Sequence, residues 1–242
     1  IVSANCLQVQ PVLAGLEFTM NLVRKMRCKT YCVRELPAGA TCFCVKIRQE
    51  YALRGMNMEK QYGSVAEFYD ALNADFDYSA YASYIVGQIK GNEKINSSLL
   101  LDLACGTGKM TFLLREHGYD MTGVDLSEEM LCVASQKAQD AFPRPMFVCQ
   151  KLQQLYLPRA VDLAVCALDS LDYVTDPDDC KEAIRRPYKA LNPGGCFIFD
   201  VNTPEKLRAM DDQVFLDEDD DVYCVWRGEF DEQTNICSYA MD

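Results

Sequence analysis

The sequence predicts an α/β protein built on a doubly wound, mostly parallel sheet of the Rossmann-like type. Three observations predict it. Residues 99–105, Leu-Leu-Leu-Asp-Leu-Ala-Cys, form an apolar run with no helical period that ends abruptly in Gly106-x-Gly108. That is the pattern of a fully buried strand feeding a tight turn. A second apolar run, Met121 to Val124, delivers Asp125 at its carboxyl end, and strand-like and helix-like stretches alternate from there to Val201. Such alternation describes βαβ units around a parallel sheet.

The first turn narrows the ligand. Two glycines allow backbone to approach a ligand where a side chain would collide. Asp125, at the next strand end, is placed for a ribose diol to share its two oxygens. A dinucleotide site of the G-x-G-x-x-G type wants a third glycine for a pyrophosphate at the helix N-terminus. Here that position is Thr111, and Asp102 lies within the strand itself. A carboxylate there repels phosphates and suits a ligand carrying an ammonium and a sulfonium.

With these residues in view, the chain resembles the class I S-adenosylmethionine-dependent methyltransferases, in particular small stand-alone bacterial members. Asp102-Leu-Ala-Cys-Gly-Thr-Gly is similar to their first motif, and Gly123-Val-Asp125-Leu-Ser-Glu-Glu-Met to their second strand and ribose-binding acid. Leu191-Asn-Pro-Gly-Gly195 followed by Cys196-Phe-Ile-Phe-Asp200 resembles the turn and fifth strand. Tyr62, Phe68-Tyr69-Asp70 and Asp77-Tyr78 resemble the opening helices. The likeness runs from about Tyr62 to Asp242.

The resemblance implies strand order 3-2-1-4-5 and S-adenosylmethionine as cofactor. The implied contacts are Asp102, Ala104, Gly106 and Gly108 around the first turn, and Asp125 and Leu126 at the second strand end. Gln150, Asp169 and Tyr69 complete them. Related enzymes place an acid after the third strand to accept the adenine amino group; this chain has Gln150-Lys151, and only the glutamine has an accepting oxygen. The family's sheet closes with two further strands. These look missing here, so either the C-terminus is truncated, the favoured reading, which would leave the fifth strand's flank exposed, or the hairpin substitutes for the sheet edge.

Composition sets outer bounds. The chain has 242 residues and a formal net charge of −12. Residues 1–60 hold nine Lys/Arg against four Asp/Glu, while residues 61–242 hold 15 against 32. An acidic catalytic portion disfavours nucleic acid, whose backbone needs a basic surface, and favours a small-molecule methyl acceptor. No apolar stretch is long enough to span a bilayer. The opening residues lack a basic start, and Glu17 breaks the only apolar stretch nearby, so no secretory signal is expected. Thirteen cysteines, several placed singly in core strands, point to reduced thiols and a cytoplasmic setting. Cys105 reads as a buried spacer.

In chain order, residues 1–57 read as an N-terminal extension of uncertain structure, with one helix at Leu16 to Arg27. Cys28-x-x-x-Cys32 with Cys42-x-Cys44 is an atypical spacing for zinc, so no metal is expected. Residues 58–210 read as the cofactor-binding domain. Ser64 to Leu72 and Ser79 to Ile89 are helical in period. Their aromatic stripe is either core or, by the resemblance, a lid in which Tyr62, Tyr69 and Tyr78 cover the cofactor's methionine end.

A helix from about Lys109 ends at Gly118, a left-handed cap, with His117 structural in its last turn. Ser127 caps a helix to about Asp140, and Pro145 to Gln150 forms the third strand. Val161 to Leu168 forms the fourth, ending in Asp169-Ser-Leu-Asp172-Tyr173. Asp169 is either a reaction-site acid, as the resemblance implies, or a loop acid capping Asp176-Pro-Asp. A helix from Pro177 to Leu191 contains Pro187, which should kink it. Cys196 to Val201 forms the fifth strand, and Asn202-Thr-Pro204 opens a short helix. Residues 211–242 read as an acidic solvated loop at 211–221 and a hairpin of Val222 to Gly228 with Asn235 to Met241, similar to the family's substrate-covering insertion.

The expected reaction is methyl transfer to a small acceptor, with Asp169 and Tyr69 as the candidate catalytic residues. A nicotinamide oxidoreductase shares the strand, turn and acid but lacks the third glycine. A non-catalytic cofactor-binding remnant is the other alternative, suggested by Lys151, Pro187 and the missing strands. Neither the oligomeric state nor the accepting atom is legible.

Overall fold

The computed structural model describes residues 30–33, 41–45, 66, 68–91, 98–218 and 223–241, with side chains placed for 66, 68–91, 98–216 and 225–238. The expected helix at 16–27, Tyr62 and the Cys28–Cys44 side chains lie outside that set.

Strands β1 (Thr30–Val33) and β2 (Thr41–Val45) come first, then helices α1 (Tyr69–Leu72) and α2 (Tyr78–Lys90). The alternating part follows: β3 (Leu99–Leu103), α3 (Lys109–Glu116), β4 (Asp120–Asp125), α4 (Glu128–Lys137), β5 (Met146–Cys149), β6 (Val161–Cys166), α5 (Pro177–Lys189), β7 (Leu191–Phe199) and α6 (Pro204–Arg208). The chain ends in β8 (Val214–Glu218), β9 (Tyr223–Asp231) and β10 (Ile236–Met241).

The large sheet runs β1-β2-β7-β6-β3-β4-β5, and within it β7, β6, β3, β4 and β5 are mutually parallel. These five strands have the expected order 3-2-1-4-5.

Side-chain alternation along the strands explains why helices cover both faces. Leu100, Leu163, Val165, Cys196 and Ile198 join one buried cluster with α2 and α3. Leu101, Ala164, Cys166, Phe197 and Phe199, one residue out of step, join a second cluster with Ala183 of α5. A period of two thus sends alternate residues of an all-apolar run to opposite layers.

Helix starts follow their caps. Asp77 accepts from the Ala80 N–H at 2.9 Å, Ser127 from Met130 at 3.2 Å, and Asp176 from both Asp178 and Asp179 at 3.0 Å. These satisfy amides that the first helical turn leaves open. Gly118 takes the left-handed cap, φ 96°, behind His117. Pro187 is buried in the last turns of α5, and the helix continues only to Lys189. β7 therefore starts earlier than expected, at Leu191, and its pairing with β6 slips between Val161 and Leu163.

Two expectations are corrected. The flank of β7 is not exposed: β2 pairs with it in parallel from Thr41↔Cys196 to Cys44↔Phe199, and β1 pairs antiparallel with β2. A row of unpaired backbone groups on β7 is a template for such a strand, and Thr-Cys-Phe-Cys-Val is a strand-favouring composition. The acidic stretch is not a loop throughout either. Val214–Glu218 pairs antiparallel with β9 and so adds a third strand to the expected hairpin of β9 and β10. The seven surrounding acids hide an apolar core of Val214-Phe215-Leu216, and Phe215 packs on a small cluster of Met210, Phe230 and Cys237.

Gly123 of β4 marks a tight packing point. A Cβ there would lie 2.7 Å from the Phe147 ring and 2.8 Å from the Cys105 sulfur. Gly123→Ala is expected to destabilise the fold by about 1–3 kcal/mol through overpacking. Urea denaturation checks this, and an unchanged midpoint would contradict the packing account.

Candidate active site

The carboxyl ends of β3, β4 and β6 open into one cleft, as the switch-point rule for such sheets requires. Asp102, Ala104 and Gly106 reach it from the first strand and its turn, Asp125 and Leu126 from the second, and Leu168 to Ser170 from the fourth. Tyr69 and Tyr78 approach from the helical side, and Trp226 from the small sheet.

The turn after β3 is held by a carboxylate. The Gly106 N–H donates to Asp125 Oδ2 at 2.7 Å, and the Ser127 N–H donates to Oδ1 at 2.9 Å. One side chain thus ties the ends of β3 and β4 together while each oxygen keeps a lone pair for a ligand. Burial raises the Asp125 carboxyl above its ordinary range, and the Ser127, Gly106 and Leu126 amides pull it back.

Ala104 and Gly106 both have left-handed φ, 56° and 53°. A Cβ on Gly106 would meet nothing within 4 Å, so it would project into the open cleft where a ligand would lie. Gly108 serves a different purpose. It does not line the cleft, and a Cβ there would press on Phe112 at 3.0 Å, Ala134 at 3.2 Å and Phe147 at 3.3 Å. Close packing against Phe112, Ala134 and Phe147, together with φ 81°, accounts for the glycine structurally.

Thr111, at the position of the missing third glycine, donates from its hydroxyl to Asp102 Oδ2 at 2.5 Å. Asp102 is only 1 % exposed. Burial pushes its carboxyl up to about 7, against the Thr111 hydrogen bond. A buried acid held by one hydroxyl suits a cationic partner, since a positive ligand would recover the ionised form.

Gln150 lines the cleft, but its amide is engaged with the loop beyond β5. The Tyr156 N–H donates to its Oε1 at 2.9 Å, and its Nε2 donates to the Tyr156 carbonyl at 3.2 Å. Only the second lone pair of that oxygen is left for an adenine amino group.

Asp169 lines the cleft at the start of a 3-10 turn, Ser170–Tyr173, to which its side chain makes no capping bond, and Asp176 caps the helix after it. Leu168 and Asp169 are consecutive left-handed residues, φ 61° and 52°. Strain of this kind persists where the surroundings enforce it. Here the Asp169 N–H donates to Asp200 Oδ2 at 3.0 Å, and the Asn202 side-chain amide donates to the Asp169 carboxylate. The Asn202 N–H donates to Asp172 at 2.7 Å, and Lys206 donates to the Asn202 side-chain oxygen at 2.7 Å.

Three acids therefore crowd one cation. Burial lifts Asp169 to about 7, with Lys206 opposing, and lifts Asp200 to about 8, with Asp169 adding to the rise. Burial and the neighbouring Asp169 push Asp172 up as well.

The sequence reading missed Asp200, Asn202 and Trp226. Asp200 follows the end of β7, so the carboxyl-end rule that found Asp125 and Asp169 also marks it. His117 sits at the C-terminus of α3, away from the cleft. Burial raises the Cys105 thiol well above its usual range, which removes it as a nucleophile. Among the described residues no cluster of metal-ligating side chains occurs, and no helix is long and apolar enough to cross a membrane.

Comparison with known proteins agrees with this geometry. A family profile described as a methyltransferase domain matches residues 100–195. The methyltransferase-type protein YqeM of Bacillus subtilis (strain 168) is 33 % identical over 168 residues, covering 69 % of this chain and 66 % of its own length. The chain thus spans about two thirds of that relative. The crystal structure of an S-adenosylmethionine-dependent methyltransferase from Clostridium acetobutylicum ATCC 824 is 35 % identical and covers 71 % of this chain and 70 % of its own, with a TM-score of 0.62. The sugar N-methyltransferase KedS8 from Streptoalloteichus, 20 % identical over 81 % of this chain and 82 % of its own, shares the fold with a TM-score of 0.62. The chain belongs to the S-adenosylmethionine-dependent methyltransferase family.

The raised carboxyls fix a pH dependence. Acids held above the ordinary 3.8 favour the fold while protonated. That stabilisation is complete below about pH 4 and is lost as pH rises through about 7 to 8. The ligand-free melting temperature is expected to fall between about pH 5 and about pH 8, and Asp200→Asn to flatten the fall. Thermal melts at constant ionic strength check it; a rising profile contradicts it.

Proposed function

We propose that this chain transfers a methyl group from S-adenosylmethionine to a small-molecule acceptor, with residues 58–210 as the cofactor domain and 211–242 as a cover over the acceptor side. The observation that carries the reading is the Gly106–Asp125 hydrogen bond beside the buried Asp102–Thr111 pair. It puts two carboxylates, rather than a phosphate cradle, at the first two strand ends. Asp102 beside the glycine turn also disfavours a nicotinamide cofactor, whose pyrophosphate it would face, whereas Asp125 suits the ribose of either ligand.

When bound, S-adenosylmethionine supplies an already activated methyl group on a sulfonium. In this reading Asp125 takes the ribose hydroxyls, the Gly106 backbone allows close approach, and Asp102 orients the amino group. Ala104 and Leu126 line the same end, and Gln150 faces the adenine. Tyr69 and Asp169 border the opposite end, where acceptor and methyl must align and water must be excluded. Asp169, held near 7 by burial, is matched to taking a proton from the acceptor near neutral pH. The free thiols of the described cysteines support a reducing, cytoplasmic setting.

Titration calorimetry tests the cofactor assignment. S-adenosylhomocysteine is expected to bind, Asp125→Ala to weaken it by roughly tenfold or more, and NADH not to bind. NADH binding without S-adenosylhomocysteine binding would overturn the reading. Asp169→Asn is expected to keep cofactor affinity within about threefold while lowering turnover on a metabolite pool by about a hundredfold. Equal turnover would remove Asp169 from the chemistry.

A further inference from the structure

The glycine turn is gripped from outside the cleft as well as from within. Thr107 is the middle residue of Gly106-Thr-Gly108 and is 2 % exposed. Its hydroxyl donates to Asp70 Oδ1 at 2.6 Å. Its carbonyl accepts from Lys137 Nζ at 3.1 Å, and the same ammonium pairs with Asp70 Oδ2. Three groups from α1, the turn and the last turn of α4 thus close one ring of hydrogen bonds. Burial pushes the Asp70 carboxyl up, yet the Lys137 and Thr107 hydrogen bonds, with the Lys137 and Lys109 charges, bring it below its ordinary range.

Asp70 and Lys137 do not line the cleft, whereas Tyr69 and Thr107 do. α1 is a single turn of four residues, with no side-chain cap at Phe68 and no buried residue. A helix this short does not hold itself in place. The Asp70 ring docks it onto the cofactor turn, and Tyr69 lines the cleft.

We propose that Asp70 and Lys137 are positioning residues for the cofactor, acting through Thr107 and Tyr69. Their ion pair fixes the middle peptide of the turn and seats Tyr69 over the ligand, so that cofactor affinity depends on two side chains that never reach the ligand. The inference rests on the proposed cofactor site. Charge-assisted hydrogen bonds are the strong kind, and the two partners hold Thr107 at its side-chain hydroxyl and at its backbone carbonyl.

The test is S-adenosylhomocysteine affinity of the full chain by titration calorimetry, with ligand-free melting temperatures alongside. Asp70→Asn and Lys137→Met are each expected to weaken binding roughly five- to twentyfold. The double variant is expected to be no more than about twofold worse than the weaker single, because both break one ring. Thr107→Val should match the singles, and Thr107→Ser, which keeps the hydroxyl, should stay within about twofold of the unchanged chain. A purely structural role would lower melting temperatures in step with affinity across the series, and that outcome overturns the proposal.

Single variants binding within twofold of the unchanged chain, or single losses that multiply in the double variant, overturn the proposal. If Asp70→Asn fails to fold, Lys137→Met and the two Thr107 variants decide. Failure of the unchanged chain to bind S-adenosylhomocysteine sinks the cofactor reading instead, a result distinct from normal binding by the variants.

Discussion

The structure turns on the hydrogen bond from the Gly106 amide to the Asp125 carboxylate. Neither residue has value for a nucleoside site alone. Joined, they fix the distance between two adjacent strand ends and leave carboxylate lone pairs facing a cleft where Gly106 contributes no side chain. Much of the surrounding fold serves that contact. The buried apolar strands fix the register of β3 against β4, with Leu103 opposite Val124. Ser127 caps α4 while its amide steadies the second Asp125 oxygen.

The second governing constraint is charge. Asp102, Asp125, Asp169 and Asp200 are drawn into one region, and burial lifts every one of them. Such a site is costly in the absence of a ligand and favours a positively charged occupant. The same logic separates the two ends of the cleft. At the end proposed for the nucleoside, Asp102 accepts from one hydroxyl, that of Thr111, and Asp125 from two amides, those of Gly106 and Ser127. Asp169 is fixed by Asn202, itself tethered by Lys206, and its backbone is held left-handed against Asp200. An acid fixed at both main chain and side chain has little freedom to swing, which is what alignment with a reacting group demands.

Much of this was legible in the sequence because local signals and global topology agree. Apolar runs broken by glycine place the strands, and acids at or just beyond strand carboxyl ends, Asp125 and Asp169, mark the cleft, with Asp102 betrayed as a lone acid inside an apolar strand. What was hidden depends on contacts between distant residues. Nothing local distinguishes Gly108, which is packed against Phe112, Ala134 and Phe147, from Gly106, which faces open space in the cleft. Thr111 reads as a missing glycine until its bond to Asp102 is seen. Asp70 and Lys137 are 67 residues apart and meet only once α1 docks. In residues 211–221 abundant acids masked a short apolar strand, and in residues 30–45 brief alternation gave no sign of which sheet edge it would join.

The central claim is tested most directly by a crystal structure of the chain grown with S-adenosylhomocysteine. The account predicts ribose hydroxyls on the Asp125 oxygens, the sugar against the bare face of Gly106, and the amino group directed toward Asp102. A nucleoside seated elsewhere, or a ribose turned away from Asp125, would contradict it.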